Sequence, residues 1–275
     1  MSDPVPSDVA QNPVRTAARW GDLRRRGVSA VLMVAVGGAA IWAGGAAYLA
    51  LILILTAAMT WELARLTAPD KPIMAIVLAA LAAACLYATA EWRFGFFFLA
   101  LPAICFAVAP RQDRELAAIY AFVIMLASYE FLGLRSDQGG IALIWLVCVV
   151  ISSDLAGYFV GRSLGGPLFW ASISPKKTWS GTVAGWVAAA LVGVVFVLAH
   201  RAQVGLIWLS ALIALAGQMG DILESWIKRR AGAKDSSGLI PGHGGVMDRF
   251  DAMLGAGLLV LLVKLVAALP FGVAG

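Results

Sequence analysis

The side chains best suited to chemistry in this sequence are concentrated in residues 217–251. Asp221, Ser225 and Lys228 recur at i, i+4 and i+7, so a helix places all three on one face. Further on, Gly238, Gly242, Gly244 and Gly245 surround Pro241 and His243, a composition that regular helix does not tolerate. Bare backbone N–H groups in such a stretch can cradle phosphate oxygens. Asp248, Arg249 and Asp251 follow at once. Carboxylates attract hard divalent cations such as Mg²⁺, which bring phosphates with them. Asp221, Asp248 and Asp251 would supply those carboxylates, while Lys228, Arg229, Lys234 and Arg249 would neutralise phosphate charge. The pattern predicts a metal-and-phosphate site. A solvated basic loop would explain the Lys and Arg residues, but not a His-Gly-Gly run flanked by paired acids and bases.

Other candidates lie upstream. Asp154 falls inside an apolar run, where a carboxylate is functional by default unless it is the buried partner of Arg162. Ser174, Lys176 and Lys177 stand in a Ser-Pro-Lys-Lys-Thr context that suits a nucleotide or lipid phosphate, although membrane topology alone also accounts for the lysines. His243 suits a general base, or equally a shaping or phosphate-binding role beside Gly244 and Gly245. Glu62 and Glu130 sit at the ends of apolar runs, where structural pairing is the expectation. Two histidines and three dispersed cysteines exclude a His-rich or Cys-based metal centre.

The elements that must hold these residues are membrane helices. Of 275 residues 61% are hydrophobic and 13% charged, with a mean hydropathy of +0.86. A soluble domain has roughly 25% charged residues. Apolar runs of about 20 residues, enough to cross a bilayer as helix, occur near 28–44, 46–66, 72–90, 94–109, 115–134, 139–161, 181–199, 204–226 and 251–269. Gly44 and Gly45 alone divide the first two, and the fourth is short, so the expected all-α bundle has nine spans, give or take one. With the N-terminus inside, 17 of the 21 basic residues fall on the cytoplasmic side, as the positive-inside rule demands. The division expected is a cytoplasmic tail over 1–26, about five spans over 27–138, and a catalytic region over 139–275. No secretory signal, inserted soluble domain or internal repeat is evident. The net charge of +5 therefore reflects membrane orientation, with lipids rather than nucleic acid as surroundings.

The run Ser225-x-Ile-Lys228-Arg229-x4-Lys234-Asp235-x-Ser237-x2-Ile-Pro-Gly-His243-Gly244-Gly245-Val-x-Asp248-Arg249-Phe-Asp251 resembles the defining motif of the phosphatidate cytidylyltransferases, the CDP-diacylglycerol synthases. The segments Ser153-Asp154-x2-Gly157-Tyr158 and Ser174-Pro-Lys176-Lys177-Thr178 are similar to that family's middle region, with Ser180 standing where the family usually has Glu. The resemblance implies a nucleotidyltransferase that makes CDP-diacylglycerol and pyrophosphate from CTP and phosphatidate. It implies dependence on Mg²⁺, leaves a second cation open, and points to the inner membrane. It makes Asp221 and Asp248 metal-site carboxylates with Asp251 beside them, and sets Ser225, Lys228 and Arg229 near the phosphates. A homodimer is left open. The competing classes are another CTP-dependent lipid kinase or phosphotransferase of the membrane, and a transporter of phosphorylated solutes. The transporter should show two repeated halves with interrupted spans, and here polarity gathers in one half.

Overall fold

In a membrane the apolar effect cannot drive helices together, so close contact needs small residues at the crossings and large ones facing lipid. Helix α7 (Trp179–Leu198) shows the division. Gly181, Gly185, Ala189 and Gly193 are buried at intervals of four, while Val183, Val187, Leu191 and Val195 are exposed at the same spacing. The buried stripe lets α7 approach α6 (Gly140–Leu164) and α8 (Gly205–Arg230) closely. A Cβ on Gly181 would lie 2.5 Å from the Gly157 carbonyl oxygen, and one on Gly193 would lie 2.7 Å from the Ile207 Cα.

The computed structural model describes residues 13–91, 95–171, 173–199 and 201–271. The side chains of Arg15, Arg19, Arg24, Arg25 and Arg26, and residues Arg93 and His200, lie outside that description. The described chain is an all-α polytopic bundle. Its remaining helices are α1 (Pro13–Ala43), α2 (Gly45–Thr67), α3 (Pro72–Glu91), α4 (Phe96–Val108), α5 (Arg114–Gln138) and α9 (Met247–Val266). Helices α2, α3, α5, α6, α7 and α8 are long and apolar enough to cross a bilayer. Helix α4, with 13 residues, spans only about 20 Å, and α9 carries Asp248, Arg249, Asp251 and Lys264. Helix α1 starts at Pro13, well inside the segment expected to be a polar tail. The Gly44–Gly45 break is real, with both residues at positive φ and the Arg135 guanidinium packed where a Gly44 side chain would be.

An element absent from the sequence reading is the antiparallel hairpin of β1 (Leu168–Trp170) and β2 (Ser174–Thr178). It follows Gly165 and Gly166, both at positive φ, and hands the chain to α7 through Thr178, whose side chain accepts from the Gly181 N–H. Ser180 stands beside it, donating to the Gly165 carbonyl at 2.5 Å. Ser180 therefore fastens the base of the hairpin.

Three connections gather at one end of the bundle, those after α2, α4 and α8. Gln112 N–H donates to Thr67 O, Lys71 to Pro110 O, and Arg230 forks onto Asp113 at 2.5 and 2.8 Å. The Arg230 guanidinium holds the half-buried Asp113 carboxyl below its ordinary range. At the opposite end Lys264 pairs with Asp137 at 2.8 Å and Glu130 at 3.1 Å.

Helices α8 and α9 cross at Gly220 and Gly255, and this contact sets the site. A Cβ on Gly220 would strike the Asp251 carbonyl oxygen and stand 3.0 Å from the Gly255 nitrogen, backbone atoms that cannot swing aside. We expect Gly220→Leu to separate the two helices, lowering the detergent melting temperature and turnover together. A melting curve and activity within error of wild type would show that the crossing tolerates a side chain.

Candidate active site

The Gly220 crossing brings α8 residues against the first turns of α9. Asp221, Glu224 and Asp251 each place a carboxylate oxygen within 4.8 Å of the others. Asp221 accepts from Lys177 Nζ of β2 at 2.5 Å and from Ser225 Oγ at 3.4 Å. Glu224 is fully buried and ion-paired to Lys228 one turn on. Apart from that pair, neither of its oxygens meets a hydrogen-bond donor among the described residues. Lys228 also reaches Asp248 Oδ1 at 2.6 Å, so one ammonium group ties the two buried carboxylates together.

Asp248 is held from several sides. Besides Lys228, it accepts from the Ser236 N–H (2.9 Å), Ser236 Oγ (2.9 Å) and the Gly245 N–H (2.7 Å). Its neighbour in the loop is Glu62 of α2, which accepts from Ser237 Oγ (2.5 Å), the Val246 N–H (2.8 Å) and the Met247 N–H (2.6 Å). The N–H groups of Ser236, Gly245, Val246 and Met247 are thus taken by the chain's own carboxylates. A buried N–H seeks an acceptor wherever one is near, and here a residue far upstream provides it. Gly245 is required by this arrangement, because a Cβ would collide with Ser236 Oγ and the Glu62 carboxylate.

A cleft of about 390 Å³ opens over the cluster. Asp154, Ser174, Lys176, Lys177, Asp221, Asp248, Arg249 and Asp251 face it. Gln218 forms part of its wall, held by Trp186 Nε1 (2.9 Å) and donating to Thr182 O (3.2 Å). Lys234, His243, Gly244 and Arg249 line a second, adjoining cup of about 540 Å³, and Arg249 is common to both. His243 Nδ1 lies 2.8 Å from Ser29 Oγ of α1, so that ring nitrogen is engaged by a helix rather than turned to the cup.

Not every residue singled out in the sequence arrives at the cleft. Arg229 is exposed and donates to Ala233 O at 3.1 Å, closing the end of α8. Arg162 bonds the Tyr158 hydroxyl at 2.8 Å, leaving Asp154 to the cleft. Two acids were overlooked as site residues. Glu224 was readable as the i+3 neighbour of Asp221 and the i−4 partner of Lys228. Glu62 left no local signal, since its donors lie 174 residues or more away.

Counting Asp221, Glu224, Asp248 and Asp251 against Lys177 and Lys228, the cluster carries a formal excess of two negative charges. Carboxylates this close repel unless protons or a cation intervene. An all-oxygen donor set suits a hard divalent ion, and the unsatisfied oxygens of Glu224 leave capacity for one.

The model of the Cytidylyltransferase family matches residues 24–266. The chain is 39% identical over 178 residues to a phosphatidate cytidylyltransferase of Brucella suis, covering 63% of this chain and 66% of that protein. It is 42% identical over 144 residues to the Bacillus subtilis phosphatidate cytidylyltransferase, covering 50% and 52%. For the Helicobacter pylori J99 protein of the same name the figures are 40% over 154 residues, covering 55% and 56%. The matched stretch therefore spans between 52% and 66% of the length of these relatives.

Proposed function

Because the chain belongs to the cytidylyltransferase family, we propose that it transfers CMP from CTP to phosphatidate, giving CDP-diacylglycerol and pyrophosphate. The relatives carry that activity in their names. The observation that supports it most is the Asp221–Glu224–Asp251 group under a cleft shared with Lys177 and Arg249, at the end of helices that cross a membrane. A lipid phosphate and a soluble nucleotide can meet only at such a boundary.

The reaction needs no covalent enzyme intermediate. A phosphatidate phosphate oxygen forms a bond to the α-phosphorus of CTP as the bond to the β-phosphate bridging oxygen breaks, and pyrophosphate leaves with that electron pair. Catalysis is then positioning and charge neutralisation. Arg249 and Lys176, both lining the cleft, fit the phosphates of the two substrates, while Lys177 and Ser225 hold Asp221 in orientation. Lys228 holds the Glu224 and Asp248 carboxyl groups in place. Mg²⁺ among Asp221, Glu224 and Asp251, with Asp248 at the edge of the same cleft, would supply charge neutralisation on the reacting phosphates. We assign catalysis to residues 139–275, and the second cup around Lys234, His243 and Gly244 to the nucleotide side of the site.

The experiment is formation of CDP-diacylglycerol by purified protein from CTP and phosphatidate, abolished by chelation and restored by Mg²⁺. Absence of product from folded protein in lipid-containing micelles would defeat the reading.

The site faces the cytoplasm of the inner membrane in this reading, supported by the gathering of Arg65, Lys71, Arg111, Arg114, Arg162 and the basic residues of the cleft at one end of the bundle. With Cys85, Cys105 and Cys148 replaced, Gly238→Cys should react with a membrane-impermeant thiol reagent only from the cytoplasmic side. Labelling in sealed cells from outside would reverse the orientation.

A further inference from the structure

Helix α9 carries Asp248 and Asp251 in its opening turns, yet its N-cap position, Val246, offers no side-chain cap. The orphan N–H groups of a helix start need an acceptor, and the positive end of its dipole favours an anion there. Glu62 supplies both from another helix. It lies at the inner end of α2, fully buried, and accepts from the N–H groups of Val246 (2.8 Å) and Met247 (2.6 Å). It also accepts from Ser237 Oγ at 2.5 Å and Ser236 Oγ at 3.4 Å. Ser236 in turn holds Asp248 through both its N–H and its hydroxyl. A buried carboxylate is costly to keep without donors, and all four of these come from the α8–α9 connection and the start of α9.

We infer that Glu62 is a positioning residue for cytidylyl transfer, a cap supplied by α2 that sets the height and rotation of the first turns of α9, and with them Asp248 and Asp251. The first five helices are thereby coupled to chemistry to which they contribute no cleft residue. This inference rests on the activity proposed above. Glu62 itself does not line the cleft, so it acts through α9 and not on substrate.

The test compares Glu62→Ala, Glu62→Gln and Ser237→Ala with wild type in CDP-diacylglycerol formation, Mg²⁺ activation and hydrogen exchange of the loop 234–247. Displacing a reacting group by a fraction of an ångström to one ångström lowers rates by about tenfold to a hundredfold. Glu62→Ala should lower kcat by that factor and raise the Mg²⁺ concentration for half-activation, while the KM for phosphatidate stays within about threefold. Exchange at Val246 and Met247 should quicken. Glu62→Gln, which keeps one acceptor, should recover part of kcat, and Ser237→Ala should show a smaller loss of the same kind. If Glu62→Ala does not fold, the other two variants carry the same criteria. Unchanged kcat and Mg²⁺ midpoint per folded molecule, with only a lower melting temperature, would overturn the inference. Wild-type protein inactive in the assay would instead defeat the proposed activity, and loop exchange would still report whether Glu62 caps α9.

Discussion

Lys228→Ala should produce the largest loss of any single substitution in this protein, in stability and in turnover together. Its ammonium group sits between Glu224, which is fully buried, and Asp248, whose side chain is 4% exposed. Removing it strands two carboxylates in a low-dielectric setting, and breaking a buried pair in this way costs about 3–5 kcal/mol. The same change slackens the Asp248 latch on Ser236 and Gly245, so kcat/KM should fall by roughly 10² to 10³. Arg229→Ala provides the internal contrast. That side chain is exposed and closes the helix end, so its loss should cost no more than about 1 kcal/mol and change kcat/KM by less than about threefold. Thermal melts and steady-state kinetics on both variants make the measurement. Equal losses from the two would mean that Arg229 reaches the substrates in the working complex and that the exposed position is a resting one.

Asp221→Asn and Asp251→Asn should each lower kcat/KM by roughly 10² to 10³, and the double variant should be scarcely worse than either alone. Their oxygens share a 4.8 Å group with Glu224, and residues that act as a unit lose their whole contribution when one fails. Both singles should also need more Mg²⁺ for half-activation. Asp221 is the more exposed of the two acids and pairs with a lysine that is itself accessible, so Asp221→Asn should melt close to wild type. Asp248→Asn should differ, losing stability as well as activity, because its oxygens hold Lys228, Ser236 and Gly245. Multiplicative losses at 221 and 251, with an unchanged Mg²⁺ requirement, would separate these two acids into independent roles.

The bundle was legible because a bilayer enforces helix, so apolar runs translate almost directly into spans. The glycines at 157, 161, 181 and 185, spaced four apart on each helix, are where α6 comes close to α7. Within the site, helical spacing alone put Asp221, Ser225 and Lys228 on one face, and Ser225 does bond Asp221 one turn away. Helical spacing does not say which neighbour a long side chain will choose. Lys228 turns to Glu224 and Asp248 rather than toward Asp221, whose cation is Lys177 from the hairpin. The partners of the loop after the glycines were hidden for a different reason. The Gly245 N–H goes to Asp248 and the Val246 and Met247 N–H groups go to Glu62, and a contact spanning 185 positions leaves no local periodicity to read. The hairpin escaped notice because three residues of β1 are too short to alternate visibly.

In the proposed reaction CMP moves from CTP to a lipid phosphate at the carboxylate cluster. CTP labelled at the α-phosphorus, and separately at the γ-phosphorus, distinguishes this from every competing membrane phosphotransferase. With purified protein, phosphatidate and Mg²⁺, α-label should appear in the lipid and γ-label in pyrophosphate, one for one, with both slowed by roughly 10² to 10³ in Asp221→Asn. Transfer of γ-label to the lipid, or α-label released as free CMP, would contradict it.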